Sequence, residues 1–229
     1  MTQVIILSVS GCLSSAVDGI REILTLANSL MDSPRFTVKV ASADGKAVQS
    51  YTGSMIIPDL ALTDLQADIV VLPPILEGVE DSLTNKQIID WLITHHQRGG
   101  RIATVCAGSF FLAETGLLKG RTATTHWDLA DIFRMRYPDV QLHVHRLLVD
   151  GGDYICCGGV SAWMDLSLHL LTRFAGKDIA RSCAKIMLMD PHREYQTPYG
   201  MGGFRKNHNH KGVLKVQQFI EESYSKPIQ

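Results

Sequence analysis

Cys106 and His126 are the pair of residues best suited to chemistry, and they stand twenty positions apart. A thiol and an imidazole are the minimum for nucleophilic cysteine chemistry, because the imidazole can take the proton that keeps the thiol unreactive. Cys106 follows the short apolar run of residues 102–105, and an apolar pattern with helical spacing begins directly after Gly108. This order predicts a strand, a sharp turn and a helix, with the thiol at the turn.

Such a turn is a nucleophile elbow, which lifts a reactive atom above the end of a sheet and aims a helix N-terminus at it. A helix N-terminus also favours thiolate over thiol, so the predicted turn is compatible with nucleophilic chemistry at Cys106. Four roles for this cysteine remain open: a catalytic nucleophile, the floor of a ligand pocket, a redox switch through sulfenic acid, and a small buried hydrophobe.

The elements that must position this pair alternate along the chain. Apolar runs at residues 4–9, 36–41, 68–72 and 102–105 are typical of buried parallel strands, and helical apolar patterns separate them. The alternation predicts an α/β fold with a doubly wound, mostly parallel sheet and helices on both faces. Ligands of such sheets bind beyond the carboxyl ends of the strands, which is where Cys106 is expected.

Composition narrows the classes of protein. A chain of 229 residues with 45% hydrophobic and 20% charged residues can hold one large domain, or one domain with an appendage. The net charge of -1 argues against a basic nucleic-acid surface over the whole chain. No apolar run is long enough for a membrane span, and the five cysteines lack CxxC spacing. We expect a cytoplasmic protein with no membrane partner, no cofactor and no metal site.

The composition changes after residue 190. Prolines and glycines are close together there, and a basic, His-rich stretch follows at residues 205–211. This pattern predicts a linker. The last residues carry one apolar stripe at helical spacing, made of Val213, Val216, Phe219 and Ile220. A single amphipathic helix cannot bury its stripe without a partner, so this helix is expected to pack on the domain or a neighbour, or to begin a further domain.

Three motifs carry a family resemblance. They are CAGSFFLAETGLLKGRTATTHW at residues 106–127, GVSAWMDLSLHL at residues 159–170, and Ala184-Lys185 followed by DPHREYQTPY at residues 190–199. Together they resemble the class I glutamine amidotransferase-like (ThiJ/PfpI) domain, which has a flavodoxin-like fold. More narrowly, they resemble the version of that domain at the N-terminus of AraC-type transcriptional regulators.

The resemblance implies a domain organisation and a function. Residues 1–190 would be a sensor domain, residues 191–211 a linker, and residues 212–229 the first helix of a truncated AraC-type helix-turn-helix domain. The implied function is ligand sensing and homodimerisation, with an unknown small-molecule effector and with DNA contacted through the absent C-terminal domain. The expected ligand-binding residues surround the elbow: Pro74, Cys106, Ala107, Gly108, His126 and Gly159.

One position departs from the family pattern. The superfamily usually places an acidic residue near the cysteine, in the segment after the first strand, and here Ala16 stands there. Asp18 is the candidate substitute, and Glu22 is another carboxylate within reach. The alternative function is a cysteine-dependent hydrolase or hydratase that uses Cys106 and His126, with Asp18 as the candidate carboxylate. The missing acidic partner favours sensing over catalysis.

Overall fold

The computed structural model describes residues 1–63, 66–200 and 210–224. The strands in these ranges are β1 Thr2–Leu7, β2 Phe36–Ser42, β3 Val48–Gln49, β4 Met55–Ile56, β5 Leu60–Ala61, β6 Ile69–Leu72, β7 Arg101–Val105, β8 Thr122–Ala123, β9 Gln141–Leu142, β10 Leu148–Asp150 and β11 Tyr154–Cys157. The α-helices are α1 Ser14–Ser29, α2 Val79–Leu83, α3 Lys86–Gln97, α4 Gly108–Glu114, α5 Ala130–Arg136, α6 Trp163–Phe174, α7 Lys177–Ile186 and α8 Lys211–Ser223. The chain divides into two compact units, Met1–Pro198 and Tyr199–Gln229.

A seven-stranded sheet forms the centre of the first unit. Its strand order is β10-β11-β7-β6-β1-β2-β5. Neighbouring strands are parallel throughout, except that β10 runs antiparallel to β11 at one edge. This confirms the predicted doubly wound, mostly parallel sheet.

Helices cover both faces of this sheet. Every residue of β6 is buried, and because successive side chains of a strand point to opposite faces, both faces must be covered. Helices α1, α6 and α7 contact one another, whereas α3 and α4 contact each other and β7. Gly19 explains the close approach of α1 to α6, since a Cβ atom there would lie 2.4 Å from the ring of Trp163.

The loops after β1 and β6 meet where the strand order changes direction. The chain places β2 on one side of β1 and β6 on the other, which makes this edge the topological switch point. The Leu13 N–H donates to the Pro74 carbonyl at 2.9 Å, and the Leu76 N–H donates to the Gly11 carbonyl at 3.0 Å. Cys106 ends the next strand along, so the elbow borders the edge at which α/β sheets bind ligands.

The second unit contains the predicted amphipathic helix as α8. His210 caps it, because its Nδ1 accepts a hydrogen bond from the Val213 N–H at 3.3 Å. Residues 201–209, which include most of the basic stretch, lie outside the described residues. The assignment of this helix to a helix-turn-helix domain stays a prediction. None of the helices within the described ranges has the length and apolar character needed to cross a membrane.

Candidate ligand site at the nucleophile elbow

The backbone at Cys106 has the predicted elbow conformation. Its φ angle is 57°, in the left-handed region that residues with a Cβ atom rarely adopt. The Cys106 N–H donates to the Cys157 carbonyl at 2.8 Å, and α4 begins two residues later at Gly108. Strand, strained turn and helix therefore follow one another as the sequence predicts.

Two buried hydroxyls hold the carbonyl of the elbow residue. Ser109 Oγ and Thr125 Oγ1 lie 2.9 and 3.0 Å from the Cys106 carbonyl oxygen, and 2.8 Å from each other. Both side chains are fully buried. Their hydrogen bonds offset part of the strain at Cys106, and sequence reasoning missed them. The signal was present in the Thr-Thr-His-Trp motif, where Thr125 precedes His126.

The end of β6 faces the elbow with carbonyl groups. A Cβ atom on Gly108 would lie 3.0 Å from the Leu72 carbonyl oxygen and 3.3 Å from that of Pro73. Pro73 and Pro74 carry no amide hydrogen. An oxyanion intermediate needs N–H donors aimed at it, and this side of the turn presents acceptors instead.

The thiol itself is buried, and burial favours its protonated form. Cys106 is 3% exposed, and this burial raises the pKa of its thiol to about 12, although the Ala107 N–H acts in the opposite direction. Desolvation of the buried thiol therefore exceeds the opposing effect of the helix N-terminus. At neutral pH the raised pKa favours the protonated thiol. The same protonation slows oxidation to sulfenic acid, since the thiolate is the reacting form.

His126 is engaged with its own turn. Its Nδ1 accepts a hydrogen bond from the Asp128 N–H at 3.2 Å and so caps the short 3-10 helix Trp127–Leu129. Partial burial lowers the pKa of the imidazole, which favours the neutral ring. A neutral ring that accepts at Nδ1 carries its proton on Nε2, so neither nitrogen is free to accept a proton from the thiol. Within the described residues, no hydrogen bond joins His126 to Cys106.

The carboxylate candidates do not share these buried surroundings. Ala16 is fully buried on the inward face of α1, whereas Asp18 and Glu22 are exposed on its outward face. An exposed carboxylate is surrounded by water and has little effect on a buried thiol. The geometry therefore gives no support to a catalytic role for Asp18.

The predicted ligand-binding residues follow the carboxyl ends of three adjacent strands. Pro74 follows β6, the elbow residues Cys106, Ala107 and Gly108 follow β7, and Gly159 follows β11. Gly159 has a φ angle of 84°, so it turns the chain out of β11 without steric strain. The fold thus brings these residues to one edge of the sheet, next to the turn of His126. Ligand binding there stays a prediction.

Gln196 lies in the third motif of the family resemblance, and sequence reasoning assigned it no role. Its side chain is 2% exposed, and its Nε2 donates to the Thr125 carbonyl at 2.8 Å while its Oε1 accepts from the Trp127 N–H at 3.0 Å. Gly158 makes room for it, because a Cβ atom there would lie 2.2 Å from Nε2. The predicted linker starts at residue 191, but the first compact unit extends to Pro198 because this buried amide ties the segment to the domain.

A large groove lies elsewhere on the first unit. It has a volume of about 1040 Å³ and is lined by α6, α7 and residues 188–194, and Cys106 is not among its lining residues. Two of its charged groups, Arg193 and Asp165, are paired with each other. We place the candidate site at the elbow, where a strained backbone and a thiol occur together at the ligand-binding edge of the sheet.

Comparison with known proteins relates the chain to both regulators and enzymes. The HTH-type transcriptional regulator GbdR of Pseudomonas aeruginosa is 28% identical over 184 residues, which cover 80% of this chain and 48% of the regulator. The isonitrile hydratase of Pseudomonas putida is 29% identical over 153 residues, which cover 66% of this chain and 65% of the enzyme. The chain thus spans about half the length of the regulator.

Solved structures share the fold. The structure of an AraC family transcriptional regulator from Pseudomonas putida matches with a TM-score of 0.73 at 20% identity, covering 82% of this chain and 100% of that one. Drosophila melanogaster DJ-1beta matches with a TM-score of 0.71 at 23% identity, covering 82% of this chain and 98% of that one. At these identities the likeness concerns the fold alone.

The family itself follows from the sequence match. The model of the DJ-1/PfpI family matches residues 17–173, a span that includes the elbow, His126 and Gly159. This agrees with the flavodoxin-like sheet and with the strained cysteine turn at its edge. The predicted resemblance is confirmed, and the chain belongs to the DJ-1/PfpI family.

Proposed function

We propose that this chain is the ligand-sensing and dimerising part of an HTH-type transcriptional regulator that responds to a small molecule. The observation that carries the proposal is an elbow that keeps its strained backbone but lacks an activated nucleophile. Its thiol is protonated, the Nδ1 of His126 is occupied, and Ala16 stands where the family usually has a carboxylate. Such a site is shaped to bind but poorly equipped to attack a substrate.

The relatives support the same proposal. GbdR and CdhR of Pseudomonas aeruginosa and GlxA of Rhizobium meliloti are named as HTH-type transcriptional regulators, and the matched regions cover 80%, 62% and 57% of this chain. We assign DNA recognition to the part of such regulators that this chain does not span, and we place the protein in the cytoplasm, where the DNA is.

A screen for the effector tests the sensing role. Small metabolites are first screened for compounds that raise the melting temperature of residues 1–229. The Kd of each such compound is then measured by calorimetry for the wild type and for Cys106→Ser. A ligand whose Kd changes in Cys106→Ser but not in Cys183→Ser, and that is recovered chemically unchanged, supports sensing at the elbow. Cys183→Ser is the matched control, because this buried thiol lies on α7. Turnover that is lost only in Cys106→Ser contradicts sensing.

A band-shift experiment tests the assignment of DNA recognition. We expect residues 1–198 to show no sequence-specific binding to operator fragments, because the net charge of the whole chain is only -1 and specific readout needs side chains placed in a groove. A specific shift by this unit, resistant to competitor DNA, contradicts the assignment.

A cysteine-dependent hydratase is the second candidate function. It is favoured by the φ angle of 57° at Cys106 and by the similarity to isonitrile hydratase. The protein is incubated with an alkyl isonitrile, and mass spectrometry tests for a product heavier by one water, which hydration would add to the substrate. Activity that Cys106→Ala removes and Cys183→Ala retains establishes the enzyme. We expect no turnover above the buffer control.

A further inference from the structure

Gln196 lies on the segment that leads out of the first unit, two residues before the boundary at Pro198. We propose that Gln196 couples the elbow site to this exit segment, so that occupancy of the site is transmitted toward the C-terminal part of the protein. The inference rests on the proposed sensing function, because it names the residue through which a ligand-dependent change would leave the domain.

The side-chain amide of Gln196 forms hydrogen bonds with the residues on both sides of His126. Its Nε2 donates to the carbonyl of Thr125 at 2.8 Å, and its Oε1 accepts from the N–H of Trp127 at 3.0 Å. These groups belong to the residues immediately before and after His126. The backbone position of the imidazole is therefore fixed from both sides by one buried amide.

Thr125 continues the connection to the elbow. Its carbonyl accepts from Gln196, and its Oγ1 donates to the carbonyl oxygen of Cys106 at 3.0 Å. Two hydrogen bonds through one residue thus join Gln196 to the strained peptide. All three side chains are buried, where a lost partner leaves a polar group without compensation from water.

The packing around the amide leaves no room for independent movement. A Cβ atom on Gly158 would lie 2.2 Å from Gln196 Nε2 and 2.7 Å from the Thr125 carbonyl oxygen. Gly158 in turn donates its N–H to the Leu147 carbonyl at 2.7 Å. Close-packed interiors transmit displacement instead of absorbing it, so a shift at the elbow must move or release Gln196.

The exit segment has a second anchor that does not touch the elbow. The guanidinium of Arg193 pairs with Asp165 and contacts Ser161, both near the start of α6. The backbone is held as well, since the Leu147 N–H donates to the Glu194 carbonyl at 2.9 Å and the Gln196 N–H donates to the His145 carbonyl at 3.1 Å. Substitution of Gln196 should disturb both the attachment of the segment and the contact with the elbow. Substitution of Arg193 should disturb the attachment alone.

Coupling between two sites is reciprocal, so it can be measured from either end. From the exit segment, Gln196→Leu removes the amide, and the labelling of Cys106 by iodoacetamide is followed by mass spectrometry. Buried thiols react when the structure around them opens, so the rate reports local opening at the elbow. We expect labelling of Cys106 about fivefold faster or more, a change at the low end of typical coupling. Labelling of the buried Cys183 should not change.

From the elbow, Thr125→Val removes the hydroxyl that reaches Cys106 and keeps the shape of the side chain. We expect backbone amides of residues 193–196 to exchange hydrogen about fivefold faster, with no change in α6. Arg193→Gln is the matched control: it should accelerate exchange in the exit segment while Cys106 labelling stays at the wild-type rate.

Two results overturn the coupling. One is equal acceleration of Cys106 and Cys183 in Gln196→Leu, which indicates global destabilisation. The other is unchanged exchange of residues 193–196 in Thr125→Val. If Gln196→Leu does not fold, Gln196→Met keeps the length of the side chain, removes the amide without adding a charge and gives the same comparison. Ligand binding that persists without coupling overturns this inference and leaves the sensing function standing.

Discussion

Two strand-turn-helix units lie side by side in the sheet, and they differ in the residue that has a positive φ angle at the turn. Strand β7 leads through Cys106 into α4, and β11 leads through Gly159 and a 3-10 turn into α6. Val105 and Cys157 are paired in register, and each strand is followed by a residue of positive φ, 57° at Cys106 and 84° at Gly159. Glycine adopts this conformation without strain, whereas a residue with a Cβ atom costs about 1–2 kcal/mol there.

The difference shows what is special about Cys106. Burial is not special, since Cys156 and Cys157 are also buried and burial raises the pKa of their thiols too. What the elbow adds is a side chain at a position where glycine would be less strained. Strain that persists beside a ligand-binding edge is a sign of function, and it directs the experiments to the turn.

The largest expected effect is at the glycine turn. Gly158→Ala would place a methyl group 2.2 Å from Gln196 Nε2 and 2.7 Å from the Thr125 carbonyl oxygen. We expect the free energy of unfolding in urea to fall by about 3 kcal/mol, the upper end for overpacking a dense interior. Gly152→Ala is the control, because its φ angle is 93° but no atom lies within 4 Å of the added carbon. Its free energy of unfolding should fall only by the cost of a Cβ atom at positive φ. Equal losses in the two variants would contradict the packing explanation.

The next effect is the alkaline stability that Cys106 confers. The unfolded thiol has a pKa near 8.5, and burial raises the folded value to about 12. Between these values the unfolded state binds fewer protons than the folded state, so the free energy of unfolding falls as the pH rises. From pH 8 to pH 10 the wild type should lose about 2 kcal/mol more than Cys106→Ala. Parallel pH profiles of the two proteins would show that the thiol pKa is the same in the folded and unfolded states, which contradicts a pKa raised by burial.

A smaller difference in stability should separate the backbone strain at Cys106 from the contribution of its thiol. Cys106→Gly and Cys106→Ala both remove the thiol, but only glycine adopts a φ angle of 57° freely. We expect the glycine variant to be more stable in urea by about 1 kcal/mol, which is the left-handed penalty less the added chain entropy. A more stable alanine variant would mean that the turn relaxes once the thiol is gone.

The local structure of the elbow was predictable from sequence, whereas its long-range contacts were not. The apolar run before Cys106 and the helical pattern after Gly108 placed the elbow correctly, because strand and helix signals are local. The burial of the thiol was not predictable from the local pattern, because β7 lies between β6 and β11 and that pattern does not contain contacts with them. Sequence reasoning assigned no role to Gln196 for the same reason: its partners Thr125 and Trp127 stand 71 and 69 positions away. The orientation of Asp18 was within reach, since the helical period that buries Ala16 and Ile20 turns Asp18 outward.

The smallest expected effect concerns the acidic partner. Asp18 is exposed on α1 and Ala16 is buried two residues before it, so the carboxylate and the thiol lie in different environments. Asp18→Asn should change the free energy of unfolding by less than about 0.5 kcal/mol, as surface substitutions do. The rate of Cys106 labelling by iodoacetamide should also stay the same at every pH. Glu22→Gln, on the same exposed face, is the matched control. A labelling change confined to Asp18→Asn would place a carboxylate beside the thiol and move the elbow from the binding interpretation back to the catalytic one.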